Sequence, residues 1–262
     1  MTILDEILVK TRQTIAEDRQ REPIDALRRQ IDGMPPCRDF VGALSATNDV
    51  RLIAEVKRAS PSAGLIRSDF DPPAIARAYA AGGAACISVL TDEPFFRGSL
   101  DDLRLVRAAV DLPILRKDFI VDEYQILQAR AAGADAVLLI AECLSPIELI
   151  QLERQTRELG MQTLIELFEP TNLPAVLATS TKLVGINNRD LRTFQTDLNH
   201  TLTLAKQIPN DRLIVGESGI RTIDDVIKLG AGGVKGILVG ESLMRQSEIT
   251  AAVRMLIGSQ HP

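Results

Sequence analysis

The chain has 262 residues, 45% of them hydrophobic and 25% charged, with a net charge of −5. That is the balance of a globular protein, at a length that suits one α/β barrel. A mildly acidic chain with no basic run is not built for nucleic acid, although local cations can still gather an anionic small molecule. Cys37, Cys86 and Cys143 are far apart and odd in number, which argues against a disulfide framework and leaves no CxxC pair for zinc. The only histidines, His200 and His261, are too few for a His-rich site, and no glutamate cluster has ligand spacing, so no metal is expected. The opening residues carry no signal-peptide core, and no apolar run approaches the ~18 residues of a membrane span. The expected location is therefore cytoplasmic, with no membrane partner.

Residues 3–30 read as amphipathic helix, with Ile3, Ile7, Ile15, Ile24 and Leu27 recurring among charges and Pro23 interrupting. A short helical piece follows at 39–44, so residues 1–48 are expected to form a helical extension. From Arg51 one unit repeats: an apolar run, a polar loop, then an Ala/Leu-rich helix. The runs are 52–57, 85–90, 113–117, 136–140, 163–166, 183–187, 213–217 and 236–240. Helices are expected at 73–81, 100–109, 123–132, 146–159 and 222–229. Several of these end at glycine (Gly82-Gly83, Gly133, Gly160, Gly230), the residue that accepts a left-handed cap most cheaply. Apolar runs without alternation suit parallel strands buried on both faces. Eight such units predict a (β/α)8 TIM barrel over 49–262, one domain with its N-terminal helical extension. An open doubly wound sheet is the alternative fold.

In a barrel of this kind the chemistry sits at the C-terminal ends of the strands. Glu55 and Lys57 end the first run, Lys117 and Asp118 the third, Glu166 the fifth, and Asn187, Asn188 and Arg189 the sixth. Glu217 and Ser218 end the seventh, and Gly240 the eighth. Ionisable groups closing buried runs are costly unless paired or used. Any one of them could be a structural salt bridge, but so many on one rim point to a site. Two lysines beside three glutamates suit proton transfer on an anionic substrate. The turns Glu217-Ser218-Gly219-Ile220 and Gly240-Glu241-Ser242-Leu243-Met244 fall in the two loops where such barrels hold phosphate. Gly219, Gly240 and Glu241 are expected to offer backbone N–H groups there, with the Glu241 side chain turned away from the anion. No GxGxxG stands in a first βα turn and no GxxxxGK[ST] occurs, so no nucleotide cofactor is expected.

Several stretches together resemble the indole-3-glycerol-phosphate synthase family of tryptophan biosynthesis. They are residues 53–62 (Ile-Ala-Glu-Val-Lys-Arg-Ala-Ser-Pro-Ser), 88–92 with Phe96-Arg97-Gly98-Ser99, 115–120, 185–191, 216–220 and 239–244. The Glu-x-Lys-x-x-Ser-Pro-Ser and Lys-Asp-Phe stretches are the most specific, and the resemblance runs over nearly the whole chain. Many bacterial members carry Lys or Arg where this chain has Ala63, a difference confined to a loop charge. The resemblance implies a carboxy-lyase acting on 1-(2-carboxyphenylamino)-1-deoxyribulose 5-phosphate without a cofactor. Ring closure, decarboxylation and dehydration would yield indole-3-glycerol phosphate. Lys117 matches a proton donor to the ketone oxygen and Glu166 a base. Lys57 can neutralise substrate charge, with Glu55 holding it, and the donor roles of Lys57 and Lys117 could exchange. Asn187, Arg189, Glu217 and Ser218 look like positioning residues, Ser60 lies in the first motif, and Phe96, Phe119 and Leu138 could wall the aryl ring. One rival is a phosphoribosylanthranilate isomerase-like barrel, expected to use a Cys/Asp pair at the first and sixth strands, where this chain has Glu55/Lys57 and Asn187. The other is a non-catalytic barrel subunit, which would not need lysines and glutamates on one rim. The expected partner is a phosphorylated small molecule, and the chain is expected to be a monomer.

Overall fold

Each apolar run forms one strand of a closed, all-parallel barrel. In chain order these are β1 (Arg51–Val56), β2 (Cys86–Leu90), β3 (Ile114–Lys117), β4 (Ala136–Ile140), β5 (Gln162–Leu167), β6 (Leu183–Asn187), β7 (Leu213–Glu217) and β8 (Gly236–Val239). Each strand pairs with its sequence neighbours, and β8 closes on β1 through Arg51↔Gly236 to Ala54↔Val239. The computed structural model describes residues 2–190 and 195–258. Leu191, the last residue of one motif stretch, and His261 lie outside them.

Side chains of a strand alternate between faces. Ile53, Cys86, Leu115, Leu138, Leu164, Leu183, Val215 and Leu238 pack along the barrel axis. Their neighbours Leu52, Ile87, Ile114, Val137, Leu139, Ile165, Val184 and Ile237 face the helices in the outer core. One strand period beyond the axial set therefore lies a second inward layer: Glu55, Ser88, Lys117, Ile140, Glu166, Gly185, Glu217 and Gly240. The apolar part of each run thus anchors the strand, and on β1, β3, β5 and β7 the next inward position delivers a charged group to the mouth: Glu55, Lys117, Glu166 and Glu217.

The extension touches both ends of the barrel. Pro23 separates α1 (Ile3–Arg21) from α2 (Ile24–Ile31), as its missing N–H requires, and α3 (Phe40–Ser45) follows an Asp39 cap. Phe40 and Leu44 are fully buried in the axial core and fill the N-terminal end of the barrel. Asp135, just before β4, fastens this floor: it accepts the Arg38 and Ile114 N–H groups at 2.7 and 2.8 Å and pairs with Arg107. At the opposite end, Ile3, Leu4 and Ile7 of α1 line the cavity over the strand C-termini.

The outer helices include α4 (Pro72–Gly82), α5 (Glu93–Phe96), α6 (Leu100–Ala109), α7 (Glu123–Ala131), α8 (Pro146–Glu158), α9 (Leu173–Leu177), α10 (Leu198–Ala205), α11 (Ile223–Ala231), α12 (Glu241–Met244) and α13 (Ile249–Ile257). Gly83, Gly133 and Gly160 take the left-handed conformation expected after a helix. Gly230 does not: α11 runs on to Ala231, and Gly233 turns the chain instead. Among the described residues no helix is long and apolar enough to cross a membrane.

Candidate active site

A cavity of about 870 Å³ opens at the C-terminal mouth of the barrel. It is lined by all fifteen residues given a catalytic, substrate or phosphate role from the sequence: Glu55, Lys57, Ser60, Phe96, Lys117, Phe119, Leu138, Glu166, Asn187, Arg189, Glu217, Ser218, Gly219, Gly240 and Glu241. Asn188, also at the end of the sixth run, does not line it; its side chain donates to the Glu217 and Ser218 carbonyls.

Its polar floor is a chain of charge pairs. Lys57 Nζ lies 2.6 Å from Glu55 Oε1. Lys117 Nζ lies 3.0 Å from Glu166 Oε2 and 3.6 Å from Glu217 Oε2. The other oxygen of Glu166 accepts 2.9 Å from Asn187 Nδ2, so both Glu166 oxygens are held. The other oxygen of Glu217 is buried with no hydrogen-bond partner. Glycine makes room for two of these carboxylates. A Cβ on Gly185 would collide with Glu217 Oε1, and one on Gly240 with Glu55 Oε1.

Protonation follows from this packing. Burial pulls the Lys117 ammonium down, but Glu166, Glu217 and Glu55 outweigh it and hold the group above its ordinary range. Burial pushes the Glu166 carboxyl up, and Lys117 with the Asn187 hydrogen bond more than reverses that, so Glu166 is ionised. Glu217 bears burial and the Glu166 charge together, and both raise its carboxyl well above its ordinary range. One cation thus sits between two coupled carboxyls pushed in opposite directions, Glu166 toward the charged form and Glu217 toward the protonated one.

The upper walls differ in character. Leu90, Leu138 and Ile140 form an apolar side with Phe96 and Phe119, whose rings lie 6.1 Å apart. Phe119 is set by a buried network behind the rim. Arg116, on the outward face of β3, binds Asp118 at 2.8 Å. Asp118 Oδ1 accepts the Phe119 N–H at 2.8 Å, and Gln125 Nε2 donates to the Phe119 carbonyl at 3.1 Å. Asp118 therefore shapes the wall and does not face the cavity floor. Phe96 ends α5, whose Asp92 cap binds the Phe95 and Phe96 N–H groups. Across the mouth, Arg189 donates to Ser62 Oγ at 3.1 Å, tying the sixth loop to the first, and Ser60 Oγ accepts the Ala63 N–H at 3.2 Å.

The phosphate side is built from backbone. Ser218 and Gly219 both have positive φ, 65° and 79°, an uncommon pair that turns the chain sharply after β7. Gly219 also has no room for a Cβ, which would strike Thr196 Cγ2. Glu241 opens α12, and its carboxylate turns to Arg245 at 3.0 Å, leaving the N-terminal turn of that helix free of its charge. Ser242, of the predicted phosphate turn, also lines the cavity, as do Arg221 and Arg245, which were not foreseen. Nor were Leu90 and Ile140, although the two-residue period places both on the inward face. Among the described residues no group of three or more His, Cys, Asp or Glu could hold a metal ion.

Comparison with known proteins gives this geometry a context. Residues 4–256 match the family model for indole-3-glycerol phosphate synthase. The chain is 71% identical over 259 residues to an indole-3-glycerol phosphate synthase of Rhodopirellula baltica, covering 99% of this chain and 100% of that one. It is 47% identical to an enzyme of the same name from Albidiferax ferrireducens, with 98% of each chain covered. Among solved structures, the tryptophan synthase alpha-subunit of Pyrococcus furiosus superposes with a TM-score of 0.59 at 17% identity, over 80% of this chain and 98% of that one. The latter likeness is one of fold alone.

Proposed function

The chain belongs to the indole-3-glycerol phosphate synthase family, decarboxylating carbon–carbon lyases of tryptophan biosynthesis, and from that premise we propose how its cavity performs the ring closure. The substrate is 1-(2-carboxyphenylamino)-1-deoxyribulose 5-phosphate. Its aryl group lies against Phe96, Phe119, Leu138 and Ile140, and its phosphate against the backbone of Gly219, Gly240 and Glu241. The aryl carbon bearing the carboxylate attacks the ketone, and Lys117 gives the ketone oxygen a proton. The carbon–carboxylate bond then breaks, carbon dioxide leaves, and its electron pair restores the aromatic ring. The new hydroxyl leaves as water with a second proton from Lys57, driven by the nitrogen lone pair. Glu166 takes the proton from the carbon beside nitrogen, completing the indole. Lys57, held by Glu55, offsets the substrate's negative charge. Glu217 returns a proton to Lys117, and Asn187, Arg189, Ser60 and Ser218 hold the pose.

The observation that carries these assignments is the Glu166–Lys117–Glu217 constellation, in which one lysine ammonium lies 3.0 Å from one carboxyl and 3.6 Å from another, within reach of proton transfer to either. No step calls for a metal or cofactor. We place the enzyme in the cytoplasm, acting as a monomer. Incubation with the carboxyphenylamino sugar phosphate should produce indole fluorescence with stoichiometric carbon dioxide. Phosphoribosylanthranilate consumed in its place, with no carbon dioxide, would favour the isomerase.

A further inference from the structure

The residue two positions beyond Glu166 is gripped more firmly than its half-exposed setting explains. The peptide between Phe168 and Glu169 is bonded at both ends. Its carbonyl lies 2.8 Å from His200 Nε2, and its N–H donates to Glu142 Oε1 at 3.0 Å. The same Glu142 oxygen accepts the Phe168 N–H at 2.9 Å and Asn172 Nδ2 at 2.9 Å. The His200 ring also stacks on the Phe168 ring, with centroids 4.6 Å apart and planes 26° from parallel. Glu142 sits in the single turn after β4 (Ala141–Cys143), and His200 is on α10, after β6. The loop leaving β5 is thus pinned from both neighbouring units of the barrel.

We infer that Glu142 and His200 are positioning residues, which hold the Phe168 backbone from two sides and thereby fix the Glu166 carboxylate between Lys117 and Asn187. The inference rests on the base role proposed for Glu166. A carbonyl oxygen only accepts, so this bond requires the His200 ring to carry a hydrogen on Nε2. Glu142 accepts three donors through one oxygen, which a charged acceptor does better than a neutral one. Neither side chain lines the cavity, so neither touches substrate. Their effect should therefore fall on kcat and leave KM alone, because misplacing a reacting group by a fraction of an ångström costs rate before binding.

The test is a double-mutant cycle on kcat, with KM and melting temperature measured on every variant. Glu142→Ala is expected to lower kcat roughly tenfold with KM within about twofold, and Glu142→Gln to recover most of the loss. In a Glu166→Gln background Glu142→Ala should have no further effect on kcat. His200→Ala runs the same cycle from the other side of the peptide and decides the matter if the Glu142 variant does not fold. An equal loss in the Glu166→Gln background, or an undiminished kcat for Glu142→Ala and His200→Ala beside a crippled Glu166→Gln, overturns the inference alone. Full kcat in Glu166→Gln overturns the base assignment and takes the inference with it.

Discussion

Lys117 is surrounded by the carboxyls of Glu166, Glu217 and Glu55, and that crowding sets what its replacement should do. Lys117→Met removes both the proposed proton donor and the cation that keeps Glu166 ionised. We expect kcat to fall by about 10²–10⁴, the usual contribution of a positioned acid or base. The fold should survive, because Glu166 and Glu217 can share a proton once the ammonium is gone. A mere salt bridge would reverse the pattern, with a lowered melting temperature and kcat near normal. Asp92 titrates in a measurable range. Burial and the neighbouring Asp118 push its carboxyl up to about 6. A carboxyl raised on folding favours the folded state below its unfolded pKa, near 4, and that advantage is lost as pH rises through about 6. Asp92→Asn keeps an oxygen for the helix cap but carries no charge. It should therefore raise the melting temperature relative to the parent at pH 7.5, and the gain should vanish near pH 4. A gain independent of pH would mean that charge at Asp92 is not what costs stability.

At the scale of elements, the barrel and most of the site could be read from the chain because both follow from local periodicity. An apolar run ending in a charged residue marks a strand and its functional end at once, which is how Lys117, Glu166 and Glu217 were found. The helix ends at Gly83, Gly133 and Gly160 were legible through the φ that glycine allows, whereas Gly230 misled because its requirement is close packing against Val50, not a turn. What could not be read were pairings between distant segments: Arg189 with Ser62, Arg38 with Asp135, and the grip of Glu142 and His200 on Phe168. No spacing rule connects such residues before the barrel closes. The glycine within β6 belongs to both kinds. A strand-interior glycine is a visible signal of close approach, but only the structure shows that Glu217 is what approaches Gly185. Gly185→Ala should drive that carboxyl out of place, lowering kcat and shifting the pH profile more than it lowers the melting temperature. Pairing it with Glu217→Ala should cancel the added loss. Persistence of the full loss in the double variant would show that Gly185 is needed for something other than room.

Across the whole molecule, stability and chemistry occupy opposite ends of the barrel. The mouth carries mutually repelling carboxyls, a carboxyl oxygen with no partner and a left-handed Ser218, all of them costs to folding. The floor carries the compensations: Phe40 and Leu44 sealing the axial core, and Asp135 fastening Arg38 and Arg107. Positive charge at the mouth comes from Lys57, Lys117 and Arg189, with Arg221 and Arg245 also in the lining, so turnover is expected to survive exhaustive EDTA treatment. Activity lost on chelation and restored by one particular metal would show that these cations do not suffice. The separation of ends has a sharper consequence at Phe40. Its ring is fully buried and lies against the floor of the barrel, away from the cavity lining. Phe40→Ala removes a large side chain from a site whose walls are strands fixed by hydrogen bonds on both sides, so collapse around the void is limited. The expected cost is about 3–5 kcal/mol, read as a lower urea midpoint. The lysines and glutamates stand two layers of side chains above that void, on strands whose registers do not depend on it. At a temperature where the variant remains folded, kcat and KM should then stay within about twofold of the parent, too small a change to register as a lost transition-state contact. A matching fall in kcat would show that the floor of the barrel transmits its packing to the mouth, and that the two ends are not energetically independent.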